Sequence, residues 1–297
     1  MKTIIFSLVF LLFTLLSFGQ TERSAENNLP FKMEELTSPD FIKAVEKSGG
    51  TCIIPLGIME KHGAHLPLGT DMIDVREITF RAAKQEYVII FPPFYFGQIY
   101  EAKHQPGTMA YSPELVWNIL EETCDELNRN GITKIILVNG HGGNNSLLPY
   151  FCQSRLAKHK GYAVYLFQSE ESGEFREKVR QLRKTTTGGH ADEEETSMML
   201  AHRPDLVHLD RAAEQSGEDL NRIDLPYTYT GIWWYAKYPN HYAGDGSYAS
   251  EELGNLILDH DAGQLVKMIR SVKADKTVME LQNEFYQKSA KPLKTEQ

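Results

Sequence analysis

Between residues 35 and 285 the chain alternates short apolar runs with longer stretches whose apolar positions recur at helical spacing. Four of the short runs have the length and composition of buried strands. They are Cys52 to Leu56, Val88 to Phe91 (stopped by Pro92-Pro93), Lys134 to Val138, and Tyr162 to Phe167. The longer stretches between them predict helices. One runs from Asp71 to Glu86, with Ile73, Ile78, Ala82 and Ala83 near helical spacing. A second opens at Ser112-Pro113-Glu114, a capping residue followed by proline at the first helical position, and Leu115, Ile119, Leu120 and Leu127 supply its apolar face. A third covers about Asn145 to Lys158, and a last long one runs from Ser250 to about Ile269, with Leu253, Ile257 and Leu265 toward the core. Strands alternating with helices imply parallel βαβ units and a layered α/β domain. No repeat or linker interrupts this pattern, so residues 20–297 read as a single domain, with a disordered tail after about Gln287.

The N-terminus falls outside that pattern. Lys2 precedes an apolar run from Ile4 to Leu16, then Ser17-Phe18-Gly19. A positive start, an apolar core of this length and small residues before a Gly19/Gln20 cut predict a signal peptide over residues 1–19 and a secreted or periplasmic mature chain. The run is too short to favour a membrane span, so no stable membrane anchor is expected. The 297 residues are 41% hydrophobic and 24% charged, ordinary for a globular protein. A net charge of -9, with no basic surplus to neutralise phosphates, argues against nucleic acid as a partner. The three cysteines, Cys52, Cys124 and Cys152, form no close pair and read as buried free thiols, with one bridge possible in an oxidising compartment.

In open α/β sheets, sites form beyond the carboxyl ends of the strands. Three polar clusters are placed there. The first, Glu60-Lys61-His62-Gly63-Ala64-His65-Leu66-Pro67-Leu68-Gly69-Thr70-Asp71, holds two carboxylates and two imidazoles in a loop bent by glycine and stiffened by proline. Such a loop lets metal ligands converge on one point. Glu60 and His62 are one residue apart, so in extended backbone they point the same way, toward one metal or toward two. A surface ion pair is the plain alternative for them. Asp71 could bridge two ions, cap the following helix, or both. The second cluster is Asn139-Gly140-His141-Gly142-Gly143-Asn144, where Asn144 reads as a helix cap. The third is His190-Ala191-Asp192-Glu193-Glu194-Glu195-Thr196-Ser197. Glu193 and Glu194 suit a solvated helix start. Glu195 opens a sequence that turns apolar, so it is the one expected to point inward. His104, in a polar loop, and the aromatic pair Trp233-Trp234 are weaker candidates for a substrate pocket; an interface suits them about as well.

These motifs, in this order, resemble the creatininase (creatinine amidohydrolase) family over roughly Thr51 to Leu265. The likeness rests on Gly57 to Gly63 with Leu66 to Asp71, on Pro106-Gly107-Thr108, on Asn139 to Asn144, and on His190 with Glu195-Thr196-Ser197. The resemblance implies a three-layer α/β/α sandwich with a mainly parallel central sheet, a binuclear centre of zinc or manganese, and a homo-oligomer, often a hexamer. Carried over, Glu60, His62, Asp71 and His141 match metal ligands, with Asp71 bridging. Creatinine-hydrolysing members have a further ligand glutamate where this chain has Gly143; members with glycine there draw the ligand from the late motif, which makes Glu195 the candidate. His190 matches the catalytic histidine. Such members also place a tryptophan where this chain has Thr186, and commonly a glutamine where it has Lys61, so creatinine is not the expected substrate.

The expected function is metal-dependent hydrolysis of a non-peptide C–N bond, in a cyclic amide or a formamide-type small molecule. Two divalent ions roughly 3.5–4 Å apart would hold a bridging hydroxide and bring the water pKa toward about 7. His190 would protonate the leaving nitrogen. The alternatives are a secreted metal-dependent peptidase or deformylase acting on a linear amide, and a non-catalytic binding protein on the same fold.

Overall fold

The computed structural model describes residues 29–294. The predicted signal peptide therefore lies outside the described residues. Four strands, β1 (Thr51–Leu56), β2 (Ile89–Ile90), β3 (Lys134–Asn139) and β4 (Ala163–Leu166), form one parallel sheet in the order β2-β1-β3-β4. All six residues of β1 are buried. A strand covered on both faces needs apolar side chains pointing both ways, which is why these runs lack polar alternation.

Helices cover both faces. Cys52, Ile54 and Leu56 of β1 and Ile135 and Leu137 of β3 pack with α1 (Ser38–Lys47), α3 (Pro113–Arg129) and α4 (Leu147–Ser154) through Ala44, Leu120, Cys124, Leu127, Leu148 and Phe151. On the other face Ile53, Ile136 and Val138 meet α2 (Thr70–Gln85) and α8 (Glu251–Ala274) through Val75, Ala82, Leu265, Val266 and Ile269. Each aliphatic side chain buried this way contributes about 1.5–3 kcal/mol. The three-layer sandwich is thus the observed architecture. The remaining elements are α5 (Gly173–Leu182), α6 (Glu193–His202), α7 (Trp233–Lys237), α9 (Thr277–Ser289) and an antiparallel pair, β5 (Gly188–His190) with β6 (Ala243–Gly244).

The capping chemistry at Ser112 acts as predicted: its hydroxyl accepts from the Leu115 N–H at 3.3 Å. Ser250 does the same for α8 through Leu253, at 3.3 Å. Three features differ from the sequence reading. The helix expected over 145–158 is only Leu147–Ser154, flanked by 3-10 turns at Gly142–Asn145 and Arg155–Ala157. Past Gln287, α9 continues to Ser289 and a further turn spans Pro292–Lys294. Its anchor is Tyr286, whose hydroxyl donates to the Arg155 and Lys158 carbonyls at 2.6 and 2.8 Å. Helix α1, not anticipated, starts on a Thr37 hydroxyl that accepts from Asp40 N–H. All three cysteines are free. No helix among the described residues is long and apolar enough to cross a membrane.

Two contacts position the site. The parallel register sets Leu56 opposite Asn139, so the loops leaving β1 and β3 emerge side by side, joined by Gly140 N–H donating to the Leu56 carbonyl at 2.8 Å. Helix α6 lies directly on α8: a Cβ on Gly254 would fall 1.9 Å from the Ser197 carbonyl oxygen. Gly254→Ala is therefore expected to lower stability by about 1–3 kcal/mol in thermal unfolding. Gly263→Ala in the same helix, with nothing within 4 Å, is expected to be neutral or stabilising by up to about 1 kcal/mol.

Candidate metal centre

The loop from Glu60 to Asp71 folds back on itself. Glu60 N–H donates to the Leu68 carbonyl at 2.9 Å, and Thr70, held to the Pro67 carbonyl at 2.8 Å, opens α2. Asp71 sits in the first turn of α2, yet no side chain caps that helix, and the carboxylate turns inward instead. Glu60 and His62 have 0% exposure, so the surface ion pair is excluded for them.

The hydrogen bonds assign the protons on the rings. His62 Nδ1 lies 3.3 Å from the Glu60 carbonyl, His141 Nε2 2.9 Å from the Gln98 carbonyl, and His190 Nε2 2.8 Å from the Lys61 carbonyl. A carbonyl only accepts, so each of these nitrogens carries a proton and donates. The other nitrogen of each ring then faces carboxylates. His62 Nε2 is 2.9 Å from Asp71 Oδ1 and 3.9 Å from Glu195 Oε2. His141 Nδ1 is 2.7 Å from Glu60 Oε1 and 3.0 Å from Asp71 Oδ2. Each oxygen of Asp71 thus faces a different imidazole. Three groups, Glu60 with Asp71 and His141, His62 with Asp71 and Glu195, and Glu60 with His62 and His190, place their donor atoms within 4.8 Å of one another; in the third, His190 Nε2 is already committed to the Lys61 carbonyl.

This donor set fits divalent cations. Glu60 Oε1 and Asp71 Oδ2 are buried and accept no hydrogen bond. Two unsatisfied carboxylate oxygens in the interior are costly unless a cation balances them. Imidazoles that donate their outer N–H to a carbonyl are oriented as metal ligands usually are. The field points the same way. Burial disfavours charge on His62, but Asp71, Glu60 and Glu195 outweigh it and lift the ring to about 10. Burial likewise opposes charge on His141, and Glu60 with Asp71 hold it well above the ordinary range. Burial would raise the Glu60 carboxyl, yet the nearby His141 and His190 and the hydrogen bond from His241 keep it well below the usual range.

Glu195 reaches the site from the first turn of α6. Asp192 starts that helix by accepting from Glu194 and Glu195 N–H at 3.0 and 3.2 Å. Ala191, at φ 54°, donates its N–H to Glu195 Oε2 at 2.5 Å. Burial raises the Glu195 carboxyl to about 8. His190 stands beside this group, its ring 4.3 Å from that of His62 and its Nδ1 3.8 Å from Glu195 Oε2.

The structure brings Glu60, His62, Asp71, His141, His190 and Glu195 together. His104 lies outside the cluster: it donates from Nε2 to the Pro239 carbonyl at 2.8 Å and stands edge-on to Tyr235. Trp234 packs near His190, with ring centroids 6.1 Å apart, and Trp233 stands edge-on to Trp234 with 39% exposure. Two further expectations are corrected. Glu193 is fully buried, its carboxylate accepting from Lys184 and Thr185 N–H, so it clamps the preceding turn. Asn144 does not cap a helix; its Oδ1 accepts from Gln98 N–H at 3.0 Å and its amide donates to Asn139 at 3.2 Å. Sequence reasoning gave no role to His241, 2% exposed and hydrogen-bonded through Nε2 to Glu60 Oε2. It lies 181 residues from Glu60, and only its place between an aromatic stretch and a glycine-rich turn marked it.

The family model "Creatininase: Creatinine amidohydrolase" matches residues 34–269. The chain belongs to the creatininase family. It is thereby a hydrolase acting on carbon–nitrogen bonds. It is 25% identical over 194 residues to the creatinine amidohydrolase of Pseudomonas putida, covering 61% of this chain and 75% of that one. It is 25% identical over 247 residues to the 3-dehydro-scyllo-inosose hydrolase of Thermotoga maritima (74% and 76%). It is 27% identical over 164 residues to the mycofactocin precursor peptide peptidase of Mycolicibacterium smegmatis (53% and 60%). Among solved structures, a zinc–zinc form of a creatininase mutant superposes with a TM-score of 0.70 at 22% identity, over 84% of this chain and 100% of that one. A manganese creatininase gives 0.68 at 21% identity, over 82% and 99%. At such identities the likeness speaks for the fold.

Gly143 has a local reason to be glycine. A Cβ there would lie 2.4 Å from His141 Nε2 and 2.9 Å from the Gln98 carbonyl that holds it. Gly143→Ala is expected to turn His141 and weaken zinc binding at least about tenfold, as loss of a ligand's orienting partner does, read by competition with a chelating dye. Gly142→Ala, with nothing within 4 Å, should bind zinc as the wild type does.

Proposed function

We propose that this chain is a binuclear metal-dependent amidohydrolase acting on a small amide. Glu60, Asp71 and His141 would hold one divalent cation, and His62, Asp71 and Glu195 the other. The observation that carries the reading is Asp71, each of whose oxygens faces the inward ring nitrogen of a different imidazole. Imidazole and carboxylate ligands suit zinc and manganese alike. Such cations supply the positive charge that polarises a carbonyl oxygen and lowers the pKa of water.

The chain's own residues do the rest. His190 is buried among the ligands and donates from Nε2 to the Lys61 carbonyl, which leaves Nδ1 to exchange protons. Burial, against the pull of Glu60 and with the help of His62 and His241, holds its pKa well below the ordinary value. His190 therefore starts neutral. It accepts a proton from the attacking water and then returns it to the leaving nitrogen, which would otherwise depart as a strongly basic amide anion. The Lys61 carbonyl, accepting from Nε2, stabilises the ring while it carries the extra proton.

The substrate reading follows from two positions at which the chain departs from the pattern of creatinine-hydrolysing members. Thr186 offers no flat surface for a creatinine ring, and Gly143 offers no ligand. We place a formamide-type or other small amide first. A linear peptide amide is the second reading, favoured by the similarity to the mycofactocin precursor peptide peptidase of Mycolicibacterium smegmatis.

His190→Ala is expected to keep wild-type metal content and lose about 10²- to 10⁴-fold in kcat on whichever amide proves active. Near-normal turnover by a fully metal-loaded His190→Ala protein would remove His190 from the mechanism.

A further inference from the structure

Two side chains that the reaction does not use, the half-buried Trp234 and the buried His241, are joined to the metal centre. Trp234, in the short helix α7, donates its indole N–H to His241 Nδ1 at 2.9 Å. Indole nitrogen is a donor only, so His241 Nδ1 must accept. The neutral ring then carries its proton on Nε2, the atom that faces Glu60 Oε2. A donor of fixed tautomer is thus aimed at one oxygen of Glu60. The other, Oε1, is the buried oxygen that accepts no hydrogen bond and faces His141.

His241 is held firmly for this. Its backbone lies in the left-handed region at φ 52°, unfavourable for a residue with a Cβ. The segment before it is tied down from several sides. Lys61 Nζ donates to the Asn240 carbonyl at 2.7 Å, and His104 and Gln105 donate to the Pro239 carbonyl, each at 2.8 Å. Tyr238 N–H donates to the Trp234 carbonyl at 2.7 Å, and the Tyr238 ring lies against the indole with centroids 4.8 Å apart. His104, with no place in the cluster itself, thereby acquires a structural one.

We propose that Trp234 and His241 are a positioning pair: through the chain Trp234 N–H to His241 to Glu60 Oε2 they commit one oxygen of Glu60 and leave the other for the cation. Orienting groups behind a ligand are commonly worth 10- to 100-fold in metal affinity. The pair also couples the aromatic stretch carrying Trp233 to the metal centre. The inference rests on Glu60 being a ligand, as proposed above.

The test is zinc binding to the mature protein, with stoichiometry by elemental analysis and affinity by competition with a chelating dye. Trp234→Phe keeps the ring and deletes only the N–H; we expect two zinc per chain, with one of them bound roughly 10-fold more weakly. His241→Phe should weaken the same zinc further, and His241→Gln, whose amide N–H can still reach Glu60, should recover part of the loss. Wild-type affinity for both ions in folded Trp234→Phe and His241→Phe would overturn the proposal. So would a drop in melting temperature with unchanged affinity, the mark of a purely structural role. Should His241→Phe not fold, Trp234→Phe decides alone. A wild-type protein that binds no zinc would instead overturn the metal-site reading itself, a distinct result.

Discussion

The site is organised by the burial of carboxylates. Glu60 and Asp71 lie almost wholly out of water, and each keeps an oxygen that no hydrogen bond satisfies. Isolated, either charge would cost far more than a small domain's net stability. The neighbouring side chains are therefore those that tolerate or supply positive charge. Four imidazoles surround the pair, and backbone carbonyls hold one nitrogen of three of them so that the other faces inward. Such an arrangement is incomplete as a self-contained ion-pair network, because both oxygens face the single Nδ1 of His141, which has at most one proton for the two. It is good as a cradle for cations, since the same oxygens become ligands.

The fold delivers these groups from separate layers. The β1–β3 register places Asn139 beside Leu56, so His141 arrives next to Glu60 by strand pairing alone. Asp71 comes from the helix packed on the opposite side of that loop. Glu195 and His190 come from the α6 region, whose position depends on the tight seat of Ser197 against Gly254. Ser197 Oγ accepts from Ser250 N–H at 2.9 Å, which ties the start of α8 to α6. Core packing and catalytic geometry thus share contacts.

Much of this was legible in the sequence. The strand runs and the Ser112 cap are local signals, and local signals survive folding. The 60–71 loop was legible because its composition serves no regular element. Glu195 was separable from Glu193 and Glu194 only by the apolar turn of the sequence after it. Glu193 was misread because a run of three glutamates looks solvated; its burial depends on the Lys184 and Thr185 N–H groups, which the preceding turn folds back to supply. Asn144 looked like a cap because asparagine usually is one beside a helix, whereas here the Gln98 backbone claims it. His241 was hidden for the same kind of reason: its meaning lies in Trp234 and Glu60 together, and no local pattern encodes that pairing.

The central claim is a centre for two cations that share Asp71. The most direct measurement is elemental analysis of the mature protein reconstituted with zinc or manganese and then freed of excess metal, compared with Asp71→Ala treated identically. The account expects about two ions per wild-type chain and fewer than one in the variant, because both positions lose a ligand together. A wild-type content of one or none, or an Asp71→Ala protein that still holds two, would contradict it.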